Sequence, residues 1–210
     1  MYNAYVSNVD IYPLKSWVSA IEILAEKLKI GRQDLLLPNV NMVQKVKILL
    51  KNAFVRKWEY DLSDNERKGN FGNKLRTYRL FKNSFRMESY LVEIKSLKIK
   101  KSLTKLRVGS HNLQIEKGRH SIPYKEPCER ICKYCANKDI EDEKHFIMSC
   151  PLYSQLRNNL FKKVSSQYLI FNVYDTDEKF VWLLSNVDPK VMHLFGTYVS
   201  ECFIKRSLYP

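Results

Sequence analysis

Between Glu129 and Arg157 the chain reads ERICKYCANKDIEDEKHFIMSCPLYSQLR, and within it Cys132, Cys135, His145 and Cys150 follow the spacing C-x2-C-x9-H-x4-C. Two thiolates separated by two residues are presented by one tight knuckle and supply half of a tetrahedral zinc site. For the other half, Asp142 is expected to cap a helix, so that His145 enters from its first turn and Cys150 from near its end. Residues i and i+5 do not stack on a regular α-helix, so the helix is expected to distort or end before Pro151. Three thiolates and one imidazole fill a tetrahedron and leave no open position, which predicts a structural Zn2+ site. Such ligation is worth on the order of 10 kcal/mol of folding energy in zinc-finger peptides.

The competing reading is a set of reduced core cysteines with a surface histidine, the ordinary fate of a cysteine taken alone. Paired ligand spacing favours the metal. Cys128 follows Pro127 and is ranked a spare thiol, while Cys202 and His193 are expected to be packing residues of the last helix. The chain has five cysteines, an odd number, gathered rather than spread as a disulfide framework. With no run of about 18 apolar residues and no basic-then-apolar start, the protein is expected to be soluble and intracellular, nuclear or cytoplasmic, without a membrane partner.

Of the 210 residues, 45% are hydrophobic, enough to bury a sizeable core. The net charge of +14 is concentrated: residues 41–130 hold 22 Lys and Arg against 9 Asp and Glu, and the remaining 120 residues hold 14 against 13. A solvated face is the bland reading of any one Lys-rich helix. A one-sided block of this length favours a polyanion, because neutralising phosphates releases counterions.

Apolar residues at helical spacing predict a helix from Ser16, as N-cap, to a stop at Gly31, with Trp17, Ile21, Leu24, Ala25 and Leu28 on one face. A longer helix capped by Asn41 is expected to bury Val43, Val46, Leu50, Phe54 and Trp58. SDNERKGNFGN reads as a loop. Beyond it Leu75, Tyr78 and Phe81 share a face, ESYLVEIKSLKIKKSLTKLRVGSHNLQIEKGRH reads as two or three short helices, and GRHSIPYKEP as an extended connector. CPLYSQLRNNLFKKV predicts a helix with Pro151 in its first turn. SSQYLIFNVYD is the only β-like run. Asp188-Pro189 announces a last helix with Val191, Leu194, Phe195, Tyr198, Val199 and Cys202 on its apolar face. The fold class is therefore mostly α, a helical domain with a small zinc-knuckle insertion and a C-terminal helical pair. The expected divisions are 1–127 basic and helical, 128–165 the zinc knuckle, and 166–210 the C-terminal helices.

No phosphate-binding loop, dinucleotide fingerprint or H-E-x-x-H occurs. The close acids of YDTDE are better read as a helix cap at Asp175 or Asp177 than as an active site. No enzyme is expected. A nucleic-acid-binding module for RNA or single-stranded DNA would use Lys95, Lys98, Lys100, Lys101, Lys105, Arg107, Lys117 and Arg119 on phosphates, with Tyr78, Tyr90 and Tyr134 available for stacking.

NKLRTYRLFKNSF, LRVGSHNLQIEKGRH and the Cys/His segment, together with the Trp17 helix and VKILLKNAFVRKWEYDL, resemble the region downstream of the polymerase core in LINE-type (non-LTR) retrotransposon reverse transcriptases. The resemblance spans roughly residues 15–165. It implies a CCHC zinc knuckle at Cys132, Cys135, His145 and Cys150 that binds template RNA or target DNA. Neither the paired-aspartate polymerase motif nor an endonuclease is present, so the likeness is to a tail without its catalytic body. Two alternatives stay open: a protein-interaction module with a purely structural zinc, its apolar helices made to contact a polymerase body, and a non-functional remnant of an element.

Overall fold

The computed structural model describes residues 17–31, 33, 40–63 and 74–209. Ser16 and nearly all of the expected SDNERKGNFGN loop lie outside them. The chain divides into two compact units, 1–63 and 64–210. The divisions expected at 127/128 and 165/166 both fall inside the second.

In the first unit, α1 (Trp17–Lys27) and α2 (Val40–Ser63) share a small core. Ala25, Leu28 and Ile30 are buried against Val46, Leu49, Leu50 and Ala53. Those α2 positions are spaced i, i+3, i+4, i+7, one stripe of a helix. The stripe read from the sequence was broader: Val43 and Phe54 lie off this face and are exposed. Asn41, expected as the cap, falls inside α2, which begins at Val40.

The second unit is built of α3 (Arg76–Arg79), α4 (Ser89–Glu93), α5 (Leu97–Arg107), α6 (Gln114–Lys117), α7 (Ser154–Ser165), α8 (Ile170–Val173), α9 (Thr176–Ser185) and α10 (Pro189–Ser207). The fold is mostly α, as the periodicity predicts. Among the described residues the only β feature is a single antiparallel bridge between Ile131 and Ile140. SSQYLIFNVYD is thus not a strand. Its apolar residues serve a helical turn, α8, that buries Phe171 against Phe161 and Trp182 between α7 and α9. No described helix is long and apolar enough to cross a membrane.

One continuous core runs from Tyr90 to Cys202 and includes residues from all three of the expected segments. At its centre α5 lies along α10. Ile99, Leu103 and Leu106 face Val191, Phe195, Val199 and Cys202. Gly196 allows the close approach: a Cβ there would sit 2.4 Å from Ile99 Cγ2 and 3.0 Å from Leu103 Cδ1. Asp188 caps α10 by accepting from Lys190 N–H at 2.8 Å, and Asp175 caps α9 in a capping box with Glu178. The acids of YDTDE therefore do cap a helix. Cys202 is buried in the seam as expected, but His193 is exposed on the outer side of α10, so it is not a packing residue.

Candidate metal centre

The knuckle is a short hairpin. Cys132 N–H donates to Asp139 C=O at 2.8 Å and Glu141 N–H to Arg130 C=O at 2.9 Å, closing a loop that contains Cys135. Lys138 occupies a left-handed conformation, φ 54°, at the return of that loop. Tyr134 N–H points at Cys132 Sγ, 3.4 Å away, the backbone-to-sulfur contact that the C-x2-C spacing makes possible.

The second ligand pair resolves the i, i+5 difficulty. Asp142 caps the segment, its Oδ1 accepting from His145 N–H at 2.7 Å. Residues His145–Ser149 then form a π-helical turn in place of an α turn. Cys150 N–H donates to His145 C=O at 2.8 Å, the i to i+5 hydrogen bond that defines it. That wider turn brings His145 and Cys150 to the same side. Pro151 follows and opens a 3-10 turn leading into α7, with Arg157 reaching back to Cys150 C=O at 3.0 Å. Tyr198 of α10 donates to Ile147 C=O at 2.6 Å, so the π turn is pinned to the core from its far side.

The potential ligand atoms of Cys132, Cys135, His145 and Cys150 all lie within 4.8 Å of one another. Cys132 Sγ is 3.9 Å from Cys150 Sγ, and Cys135 Sγ is 3.8 Å from it. A tetrahedron with metal–sulfur bonds of about 2.3 Å has edges of about 3.8 Å, so the sulfur spacing fits that geometry. His145 presents Nε2, 3.1 Å from Cys135 Sγ, somewhat inside the edge of about 3.6 Å for a bound nitrogen–sulfur pair. Its Nδ1 faces an Asp139 oxygen at 3.6 Å and Ser149 Oγ at 3.5 Å, the outer support that orients a ligating imidazole. The four residues are placed to hold one metal ion and to enclose it. Cys128 is exposed and apart from them.

Burial pushes the thiols of Cys132, Cys135 and Cys150 up to about 11 and lowers the pKa of His145. The metal-free site therefore carries a proton on each sulfur at neutral pH, and a metal must displace all three.

Around the hairpin lies a set of buried ion pairs that spacing arguments do not find. Arg206 of α10 holds Glu141 at 2.5 and 3.0 Å, and Gln114 N–H donates to the same carboxylate at 2.8 Å. Glu143 accepts from Arg76 at 2.5 and 3.0 Å and pairs with His111 Nε2 at 2.7 Å; Arg76 also reaches Glu116 at 2.6 Å. Burial alone would raise the Glu143 pKa, but His111 and Arg76 outweigh it and hold the carboxyl below its ordinary value. The one hint in the sequence is the run DIEDE, residues 139–143, acids gathered just upstream of Lys144 and His145 in a basic chain.

The expected phosphate contacts separate into two groups. Lys98, Lys101 and Lys105 are exposed on the face of α5 opposite Ile99, Leu103 and Leu106, with Lys100 half-buried on its flank. Lys95 and Lys117 are exposed as well. Arg107 is not on that face. It is buried, paired with Glu88 at 2.6 Å, bonded to Leu184 C=O at 2.5 Å, and its guanidinium lies 4.6 Å from the ring centres of both Phe81 and Tyr90. Arg119 is turned toward Glu116 at 3.4 Å. Of the tyrosines, Tyr90 is buried with its hydroxyl on Thr104, and Tyr78 is edge-on to Phe81. The third expected stacking residue, Tyr134, lies in the metal hairpin itself, half-buried with the Arg206 guanidinium 5.1 Å from its ring centre.

Comparison with known protein families, with curated proteins and with solved structures returns no match.

Proposed function

We propose that this chain is a binding module for RNA or single-stranded DNA, held in shape by a structural Zn2+ at Cys132, Cys135, His145 and Cys150. The observation that carries the reading is the lysine stripe of α5. Lys98, Lys101 and Lys105 recur at i, i+3 and i+7, so they form a row about 10 Å long on one side of a helix whose other side is locked into the core. The charge thus sits on a rigid element, placed to follow a phosphate backbone, and the concentration of basic residues in 41–130 supports the same assignment. The resemblance to the tail of a LINE-type reverse transcriptase agrees with it. Three thiolates and an imidazole suit zinc by ligand chemistry, and with four protein ligands the ion's role is to stabilise.

The test is binding of a fluorescent oligouridylate across a salt series. Three single-strand phosphate contacts add about 2 to the log–log salt slope, roughly a twentyfold loss of affinity between about 50 and 200 mM salt. Lys98→Gln, Lys101→Gln and Lys105→Gln together should remove that part of the slope. A triple variant with the wild-type slope overturns the assignment of this face.

A protein-interaction role has its own observation. An open groove of about 730 Å3 lies between the N-terminal ends of α5 and α10, with Ile94, Pro189 and Leu194 in its wall. Capture of a folded partner with little salt dependence, and no binding of the oligouridylate, would favour that reading instead.

A further inference from the structure

A smaller cavity, about 260 Å3, opens where the metal hairpin meets α6 and the last turn of α10. Lys117, Lys133, Tyr134, Tyr209, Asn112 and Gln114 line it. We propose that it is a single-nucleotide site, holding a phosphate between Lys117 and Lys133 and the attached base against Tyr209 and Tyr134. The proposal rests on the nucleic-acid reading above and locates a second contact for the strand, away from the α5 stripe.

Charge sets the sign of the ligand. None of the described residues lining the cavity is acidic, and Lys117 and Lys133 are both exposed at its rim. Arg206 also lines it, but both oxygens of Glu141 already neutralise that guanidinium. The two lysines therefore leave a positive rim around a small polar opening, which suits one phosphate.

The aromatic pair sets the rest of the ligand. Tyr134 and Tyr209 meet edge to face with ring centres 6.2 Å apart, and the Arg206 guanidinium lies 5.1 Å from the Tyr134 ring centre. Tyr134 O–H donates to Tyr209 C=O, which ties the segment after α10 to the hairpin. Tyr209 remains 49% exposed, so its ring is available to a planar partner. The side-chain amides of Asn112 and Gln114 add groups that both donate and accept, as the edge of a base requires. The volume falls below the roughly 300 Å3 at which pockets for drug-sized ligands begin, so the cavity takes one base and not a folded strand. Base–aromatic stacking with a basic neighbour is the sequence-tolerant way to hold a single strand.

The experiment uses the full chain loaded with zinc and an oligouridylate carrying one 4-thiouridine. Irradiation should cross-link the peptide containing Tyr134 or that containing Tyr209. Lys117→Gln with Lys133→Gln should weaken binding about tenfold at low salt, make the salt slope shallower by about 1 and abolish that cross-link, with zinc content unchanged. Tyr209→Ala should weaken binding by a further factor of about ten without changing the slope, since stacking releases no counterions. Wild-type affinity in both variants, with cross-links confined to α5, would overturn the cavity site and leave the nucleic-acid reading standing. Absence of oligonucleotide binding by the wild type at low salt would overturn both. Competition by inorganic phosphate as strong as that by uridine monophosphate would also overturn the nucleotide assignment, because the base would then contribute nothing.

Discussion

Arg206, in the last turn of α10, grips Glu141 through both carboxylate oxygens, and one of those oxygens stands 4.0 Å from the sulfur of Cys132. The far end of the chain's final helix is thereby joined to the metal hairpin by a buried ion pair. Removing one member strands the other. Arg206→Met should cost about 3–5 kcal/mol in denaturant unfolding, and metal retention against a chelator should fall about tenfold as the hairpin that carries Cys132 loses its tie to α10. Pairing it with Glu141→Gln should recover part of the stability, a coupling that a double-mutant cycle measures.

Arg107 and the α5 lysines should separate cleanly. Arg107→Met leaves Glu88 with Lys82 as its charged partner and the Tyr78 hydroxyl beside it, and frees Leu184 C=O, so it should destabilise by about 3 kcal/mol. Its effect on oligonucleotide affinity, measured where the variant is folded, should be within twofold. The Lys98, Lys101 and Lys105 changes should do the reverse, leaving the thermal midpoint within about 2 °C because exposed substitutions change stability by under about 0.5 kcal/mol.

Gly196 keeps α5 and α10 in contact. Alanine is the better helix former by about 1 kcal/mol, yet its Cβ would meet the branched Ile99 side chain, which cannot swing clear. The clash should win. Gly196→Ala should lower stability by about 1–2 kcal/mol net, and its cost should shrink in an Ile99→Ala background, which removes the Cγ2 methyl that the new Cβ meets.

Metal uptake should release protons. With burial holding the three thiols at about 11, loading the metal-free protein at neutral pH should liberate three protons per ion, read as the dependence of calorimetric heat on buffer ionisation enthalpy. Because protons compete for the sulfurs, affinity should rise with pH through the neutral range and the metal should be shed on acidification.

The metal cluster, the caps at Asp142, Asp175 and Asp188 and the burial of Cys202 were legible in the sequence because each follows from spacing or from one local rule. Even the distortion between His145 and Cys150 was foreseeable from helix geometry, though its form as a π turn was not. What the sequence hid was tertiary. Charge groups Arg107 with the neighbouring lysines, although its place four residues after Leu103 puts it on the buried side of α5, and the packing of Phe81, Tyr90 and Glu88 around it accommodates a guanidinium there. The segment 165–175 has β-like composition, but its neighbours α7 and α9 supply a core that a helical turn fills better. Nothing in their spacing pairs Glu141 and Glu143 with Arg206, Arg76 and His111, which lie far away in sequence and are brought against them only by the fold.

If Cys132, Cys135, His145 and Cys150 hold one structural zinc, metal analysis joined to thermal unfolding should show it. The wild type should carry one zinc per chain, Cys135→Ser should lose most of it, and a strong chelator should sharply lower the midpoint of the 64–210 unit. Zinc at equal occupancy in both proteins, or an unfolding transition indifferent to the chelator, would contradict it.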